Sequence, residues 1–202
     1  MITIIEDNNR EEHRYLLDAM FKQRARVFGA LGWDVKIDNW GWETDDLDDE
    51  HPVYVVAHLG APGRIIDIRG SLRLLPTTGP TLLERAFPHS SPARISAPDI
   101  WEMTRLCIEG KPRERRLTLL QLFAAVGQIA QRAAINSIIG NVTMAHFEMY
   151  ERLGIPIKLI GGDEDVEIGR DEHVVLASIP MKTAIPVIAF ALAAESFVRR
   201  RL

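Results

Sequence analysis

Cysteine is almost absent: the 202 residues contain one, Cys107. A single thiol excludes an internal disulfide framework and suits a reducing compartment. It lies in the apolar run Leu106-Cys107-Ile108, where a buried small hydrophobe is the default and a thiol that takes up an acyl group is the alternative. No histidine stands beside it to activate it, and burial would raise its pKa. None of the six histidines is near another at metal-ligand spacing, and His-Glu-x-x-His does not occur, so no metal is expected. Long apolar runs are missing too. The most apolar stretch, residues 184–198, is too short to span a bilayer and is interrupted by Glu195. The first residues lack the basic region, apolar stretch and cleavage site of a secretory signal. A soluble, cytoplasmic protein with no membrane partner is expected. The net charge of -4 gives no bias toward nucleic acid, and no helix-turn-helix pattern sits in a separate basic domain.

What is present can fill a sizeable core: 47% of the residues are hydrophobic. Residues 1–5 read as a strand and residues 10–30 as a helix, with Leu16, Met20, Phe21, Val27 and Phe28 at roughly helical spacing. A polar loop over 38–52 precedes strands at 53–57 and 64–75, joined by a turn at Gly60-Ala61-Pro62-Gly63. Residues 76–80 break the chain, and 100–108 are a third strand, ended at Gly110-Lys111-Pro112. The longest helix is expected over 113–136, with Leu117, Leu120, Phe123, Ala124 and Ile129 as its stripe. A strand at 137–142 leads into a helix at 144–153 that Gly154 caps. Strands at 155–160 and 172–179 follow. A last helix has Pro186 in its first turn and runs to about Arg199. Interleaved strands and helices without repeats or long linkers indicate one α/β domain over residues 1–202 with a mixed sheet.

Charge concentrates in places. Trp33, Trp40 and Trp42 precede Glu43-Thr44-Asp45-Asp46-Leu47-Asp48-Asp49-Glu50, setting rings beside carboxylates in a way that suits a cationic ligand. The alternatives are a solvated acidic loop whose tryptophans cover the core edge, and a calcium loop, which lacks the glycine such a loop needs. Arg73, Glu102 and Arg105 fall in apolar strand-like segments, where charges are rarely left unpaired. Glu102 and Arg105 are three positions apart, so a regular strand aims them to opposite faces and one site for both requires a bulge. A buried ion network serving the fold alone is the competing account. Arg24 and Phe28 share a helix face by their four-residue spacing.

Three islands in order, Arg24-Ala25-Arg26-Val27-Phe28 with Trp33, Ser71-Leu72-Arg73-Leu74-Leu75-Pro76 and Ile100-Trp101-Glu102-Met103-Thr104-Arg105, resemble the acyl-homoserine lactone synthases of the LuxI-type autoinducer-synthase family. The likeness covers about residues 20–110, with weaker echoes to about 155. It implies a three-layer α-β-α sandwich related to the GCN5-type N-acetyltransferases. The phosphate-cradling glycine motif of those enzymes is replaced here by Lys111-Pro112-Arg113-Glu114-Arg115-Arg116, which argues against ordinary acetyl-CoA chemistry.

The implied reaction joins an acyl thioester to the amine of S-adenosylmethionine and closes the lactone with loss of methylthioadenosine. It needs no metal or resident cofactor. By the resemblance, Glu102 is the base, with Arg105, Arg73, Asp45 and Asp48 completing the catalytic set by pairing with one another. Arg24, Phe28, Trp33 and Glu43 form the S-adenosylmethionine site, the spacing Glu43-x-Asp45-x-x-Asp48 matching the family's acidic motif. The acyl tunnel is expected between the sheet and the helices after Arg113, lined by Ile139, Asn141, Thr143, Met144 and Phe147. Thr143 matches a threonine that accompanies 3-oxo acyl groups in relatives, or else caps the following helix.

Arg152 and Lys158 are candidates for docking an acyl-carrier protein, with coenzyme A as the other carrier. Glu148 stands where some relatives have lysine, which leaves acyl-CoA open. Thr104 and Leu106 replace the relatives' Ser and Phe, and the Phe28-to-Trp33 gap is one residue shorter than in some. The rival readings are an N-acyltransferase on another amine and a non-catalytic binder of the lactone or carrier.

Overall fold

Strands with long runs of consecutive buried side chains must be covered on both faces, and β2 (Val53–Leu59) and β3 (Asp67–Pro76) carry such runs at 53–58 and 70–75. In the computed structural model, which describes residues 1–60, 66–86, 94–160, 166–168 and 172–199, they lie inside an eight-stranded sheet. The other strands are β1 (Ile2–Ile5), β4 (Ile100–Ile108), β5 (Ser137–Thr143), β6 (Lys158–Leu159), β7 (Val166–Ile168) and β8 (Glu172–Pro180). Their order is β1-β2-β3-β4-β5-β8-β6, with β7 also paired to β8. Every pairing is antiparallel except β4 with β5, so the sheet is mixed.

Helix α1 (Arg14–Leu31) covers one face, packing Leu16, Leu17, Met20 and Phe21 on Tyr54, Val56 and Ile68. Gly32 ends it in the left-handed conformation (φ 70°), which glycine adopts without a Cβ penalty. The opposite face carries α3 (Pro112–Arg132), α4 (Met144–Arg152) and α5 (Met181–Arg199). There Leu119, Leu122, Phe123 and Val126 of α3 meet Val53, Val55, Leu72 and Leu74 of the sheet. The result is the three-layer α-β-α sandwich expected. No helix among the described residues is long and apolar enough to cross a membrane.

Several boundaries differ from expectation. A 3-10 turn at Asp7–Asn9 delays α1 to Arg14, and α3 stops at Arg132 because Ala134 turns left-handed (φ 53°). The stripe of α3 is centred on Leu119, Leu122, Phe123 and Val126, and Leu117 and Ala124 are only half-buried. Helix α5 begins at Met181, which places Pro186 inside it, where the missing N–H interrupts the ladder. Of residues 155–160, only Lys158 and Leu159 form a strand. The short α2 (Leu82–Ala86) and β7 were not anticipated. The turn expected at Gly60-Ala61-Pro62-Gly63 lies largely outside the described residues.

The parallel pair β4–β5 is joined only from Ile100/Ser137 to Glu102/Ile139. Beyond that register the two strands are no longer paired, and a cleft opens between them. Gly140 sits where they part: a Cβ there would lie 2.7 Å from the Met103 carbonyl oxygen, so only glycine permits this approach.

Candidate active site

Strand alternation sends Ser71 and Arg73 of β3 to the α1 face, beside Tyr54 of β2. Across β4 the register pairs Arg73 with Thr104 and Leu75 with Glu102, so these share that face. A regular strand would then turn Arg105 away. Instead the register shifts between Ser71 and Arg73, and Arg105 takes a left-handed backbone (φ 53°). Leu72 thereby faces the extra residue of a bulge, the device that one site for Glu102 and Arg105 requires.

Arg105 uses that turn to reach the acidic loop. Its Nε donates to Glu43 (3.0 Å), and another guanidinium nitrogen lies 2.8 Å from Asp45. Arg73 donates to Asp45 (2.5 and 2.9 Å), to Asp48 (2.9 Å) and, through Nε, to the Thr104 hydroxyl (3.0 Å). Arg24 donates to Glu43 (2.5 Å) and with two nitrogens to Asp48 (2.9 and 3.0 Å). Tyr54, which sequence reading missed, adds its hydroxyl to Asp48 at 2.7 Å.

Three guanidinium groups thus face three carboxylates, a balance that makes burial of Arg24, Arg73 and Glu43 tolerable. Burial alone would favour neutral arginines, yet the hydrogen bonds and charges of Asp45, Asp48 and Glu43 hold Arg24 and Arg73 above the ordinary arginine range. Burial alone would likewise raise Asp45 and Asp48. Their arginine partners overcome it and keep both below the usual carboxylate range.

Glu102 was expected in this network, but the structure pairs it otherwise. Its Oε2 accepts from the Leu82 N–H and its Oε1 from the Leu83 N–H, both at 2.7 Å. Burial raises its pKa, the two amides pull it partly back, and Arg73 acts only at longer range. Glu102 is therefore a buried carboxylate without a direct cationic partner among the described residues.

Glu102 and Arg105 meet in a cavity of about 110 Å³ that fills the cleft between β4 and β5. Phe28 and Trp33 form one wall, their rings stacked 4.9 Å apart and 12° from parallel, and the Arg105 guanidinium lies 5.5 Å from the Phe28 ring centre. The opposite wall is Asn141, Val142, Thr143, His146 and Tyr150. Arg24, Arg73, Glu43, Asp45 and Asp48 do not line this cavity; they stand behind Arg105.

The acidic loop is thus no open receptor for a cation, because Glu43, Asp45 and Asp48 are already neutralised by arginine. Trp42 packs on Phe21 and donates its indole N–H to Asp18, the core-edge role, and Trp40 is 77% exposed. Of the grouped tryptophans only Trp33 lines the cavity.

Of the expected acyl-lining residues, Asn141 and Thr143 face the cavity. The other three do not. Ile139 packs with Leu83 and Leu176, Phe147 belongs to the α3-side core, and Met144 is exposed. Thr143 also caps α4, accepting from the His146 N–H (3.3 Å) and hydrogen-bonding its ring Nδ1 (2.8 Å). Sequence reading missed Leu82, Met103, His146 and Tyr150. Met103 also lines a smaller apolar cavity with Phe123, Val126, Ile138, Ile179, Met181 and Ile188, between the sheet and the helices after Arg113.

Arg152 and Lys158 are exposed, and Arg152 already lies 3.3 Å from Glu148 one turn away. Cys107 is 1% exposed with its thiol pushed up to about 12 by burial, which removes it as an acyl carrier.

Comparison with known proteins matches residues 7–185 to the family model described as autoinducer synthase. An acyl-homoserine-lactone synthase of Rhizobium etli is 35% identical over 161 residues, covering 76% of this chain and 74% of the relative. The solved structure of BjaI, a CoA-dependent acyl-homoserine lactone synthase with SAM and isopentyl-CoA, superposes with a TM-score of 0.80 at 26% identity, covering 96% of this chain and 89% of that one. A putative N-acetyltransferase from Lactobacillus plantarum (TM-score 0.53, 16% identity, 89% of this chain and 98% of that one) shares the fold alone.

Proposed function

The chain belongs to the autoinducer synthase family and is an acyl-homoserine-lactone synthase, and on that premise we propose that the cavity between β4 and β5 is where S-adenosylmethionine meets the acyl thioester. The observation that carries this is the bulge at Arg105, which brings its guanidinium to the walls of the cavity that also holds Glu102, a buried carboxylate without a direct cationic partner among the described residues.

The substrate ammonium must lose a proton before its nitrogen can attack a thioester carbonyl. Glu102, raised by burial, accepts that proton directly or through one water. The nitrogen–carbonyl bond forms as the carbon–sulfur bond of the thioester breaks, and the thiolate leaves with its carrier, taking up the second proton that the nitrogen loses on becoming an amide. The methionyl carboxylate then attacks its own γ-carbon, closing the lactone and expelling methylthioadenosine. Positioning supplies most of that step. Arg105 faces the carboxylate, and the stacked Phe28 and Trp33 rings receive the adenosyl and sulfonium end. Arg24, Arg73, Glu43, Asp45 and Asp48 act one layer back, holding Arg105 in its bulged position.

The acyl chain runs from the cavity past Met103 into the apolar space under α3 and α5, with Asn141 and Thr143 beside its first carbons. BjaI takes its acyl group from coenzyme A by its description, and an acyl-carrier protein docking at Arg152 and Lys158 is the other source. One continuous sheet supports a single catalytic domain over the whole chain. The test is incubation with S-adenosylmethionine and matched acyl-CoA or acyl-carrier protein, followed by mass spectrometry. Acyl-homoserine lactone and methylthioadenosine in equal amounts are expected. An N-acylated product without methylthioadenosine would overturn the reading.

A further inference from the structure

The five-residue helix α2 lies in a stretch with no part in the expected site, yet it makes the only direct hydrogen bonds Glu102 has among the described residues. A helix begins with N–H groups that have no partner within it. Here Thr81, 2% exposed, accepts from the Glu84 N–H through its hydroxyl (3.2 Å), and Glu102 takes the Leu82 and Leu83 N–H groups, one on each oxygen. The turn before α2 is itself fixed. The buried Thr77 hydroxyl donates to the Ile100 carbonyl (2.8 Å) and accepts from the Ala97 N–H (3.0 Å), tying the segment to the start of β4, the strand that carries Glu102. Both ends of the contact therefore rest on one frame.

We infer that α2 is a clamp that orients the Glu102 carboxylate toward the substrate amine, with Thr81 as a positioning residue that fixes the clamp. This rests on the reading of Glu102 as the base. A carboxylate held by one oxygen per amide cannot rotate, and each oxygen keeps a lone pair for the incoming proton. The same two bonds stabilise the charged form against the burial that opposes it, so Glu102 remains deprotonated at a lower pH than burial alone would allow. The charged and titratable groups around it are Arg73 of β3, Asp45 of the acidic loop, Arg105 of its own strand and the His146 ring of α4 across the cavity. On α2, Glu84 pairs with Arg94, and Arg85 pairs with Glu50 and Asp46. All are unchanged in the comparison below.

Leu82 is the first residue of α2, where proline is tolerated because its N–H has no helical partner. Leu82→Pro deletes one bond to Glu102, and Leu82→Ala removes the side chain but keeps that bond. The profile of kcat/KM against pH should differ between them. The acid limb of Leu82→Pro should move up by about one pH unit, on the order of tenfold lower activity below it, with the limb of Leu82→Ala keeping its wild-type pH whatever the loss of the cavity-lining side chain does to its plateau. Thr81→Val should move the limb the same way, and Thr81→Ser should restore it. Identical limbs for Leu82→Pro and Leu82→Ala, or an equal loss at every pH in Thr81→Val that serine does not rescue, would overturn the clamp. Glu102→Gln run alongside separates the two readings: if it turns over like wild type, the base assignment has failed, and the clamp falls with it.

Discussion

The face of the sheet under α1 and the face under α3 are formed by alternate residues of the same strands, yet they hold different matter. Under α3 the residues of β2 and β3 are Val53, Val55, Leu72 and Leu74, all in one apolar core. Under α1, Val56 and Ile68 share the face with Tyr54, Ser71 and Arg73, and Arg24 descends from the helix to meet Glu43 and Asp48. Hydrophobic burial would have filled either side at lower risk, since a buried ion pair is strongly destabilising once one partner is lost. The charged face is positional: it fixes Arg105, which alone of the three arginines lines the cavity. The apolar face borders the smaller cavity beside Met103, the proposed path of the acyl chain. The cleft at Gly140 joins the two.

The sharpest way to break this contrast is to unbalance the charged face. Arg24→Met would leave Glu43 and Asp48 each short of one arginine partner in the interior, at a cost of about 3–5 kcal/mol in urea unfolding. A cost no larger than that of an exposed arginine would show that the network does not hold the face together.

On the apolar face the effect should fall on selectivity. Met103 lines both cavities, so Met103→Phe should narrow the passage and lower kcat/KM for long acyl thioesters by on the order of tenfold relative to short ones, and Met103→Ala should do the reverse. Chain-length profiles that coincide with wild type would place the acyl group elsewhere.

Acid should separate the faces further. Asp45 and Asp48 titrate below their ordinary range in the folded protein, so their contribution is complete above the unfolded aspartate pKa of about 3.9 and is lost as pH falls through the folded values. Glu102 has the opposite sign: its raised pKa makes the charged form a cost of folding that acid relieves. Unfolding free energy should hold steady down to about pH 5 and then decline. A flat profile to pH 3 would contradict the network's role.

The smallest effect is at the surface. Arg152→Glu should raise KM for an acyl-carrier protein a few-fold at low salt, fading as the Debye length shortens, with turnover at saturation unchanged. Its exposed neighbour Glu148 already dilutes the charge. Equal KM values would remove Arg152 from any docking surface.

Much of this was legible before the structure. The bounds of β4 follow from its apolar spacing, and the odd separation of Glu102 and Arg105 already demanded a bulge. Partners were harder. Glu102 looked like a member of the arginine network because buried charge seeks opposite charge, but backbone amides satisfy it instead, and amides leave no mark in a side-chain pattern. Their source, α2, is too short for periodicity. The pattern Thr81-x-x-Glu84 after Pro80 was its one local signal. Trp42 and Trp33 read alike by composition, and only the path of the loop sends one to Phe21 and the other to Phe28. Pro186 misled because proline marks helix starts more often than interiors.

The central claim is that one carboxylate, held in the cleft without a direct cationic partner among the described residues, starts the chemistry. Glu102→Gln keeps the shape and removes the base. The direct measurement is its rate of acyl-homoserine lactone and methylthioadenosine formation, taken beside its S-adenosylmethionine affinity and its unfolding free energy. The account predicts turnover lower by on the order of a hundredfold or more, a smaller change in affinity, and stability lowered by no more than about 1–3 kcal/mol, because the Gln amide nitrogen cannot accept the N–H that one Glu102 oxygen takes. Wild-type turnover in a folded Glu102→Gln protein would contradict it.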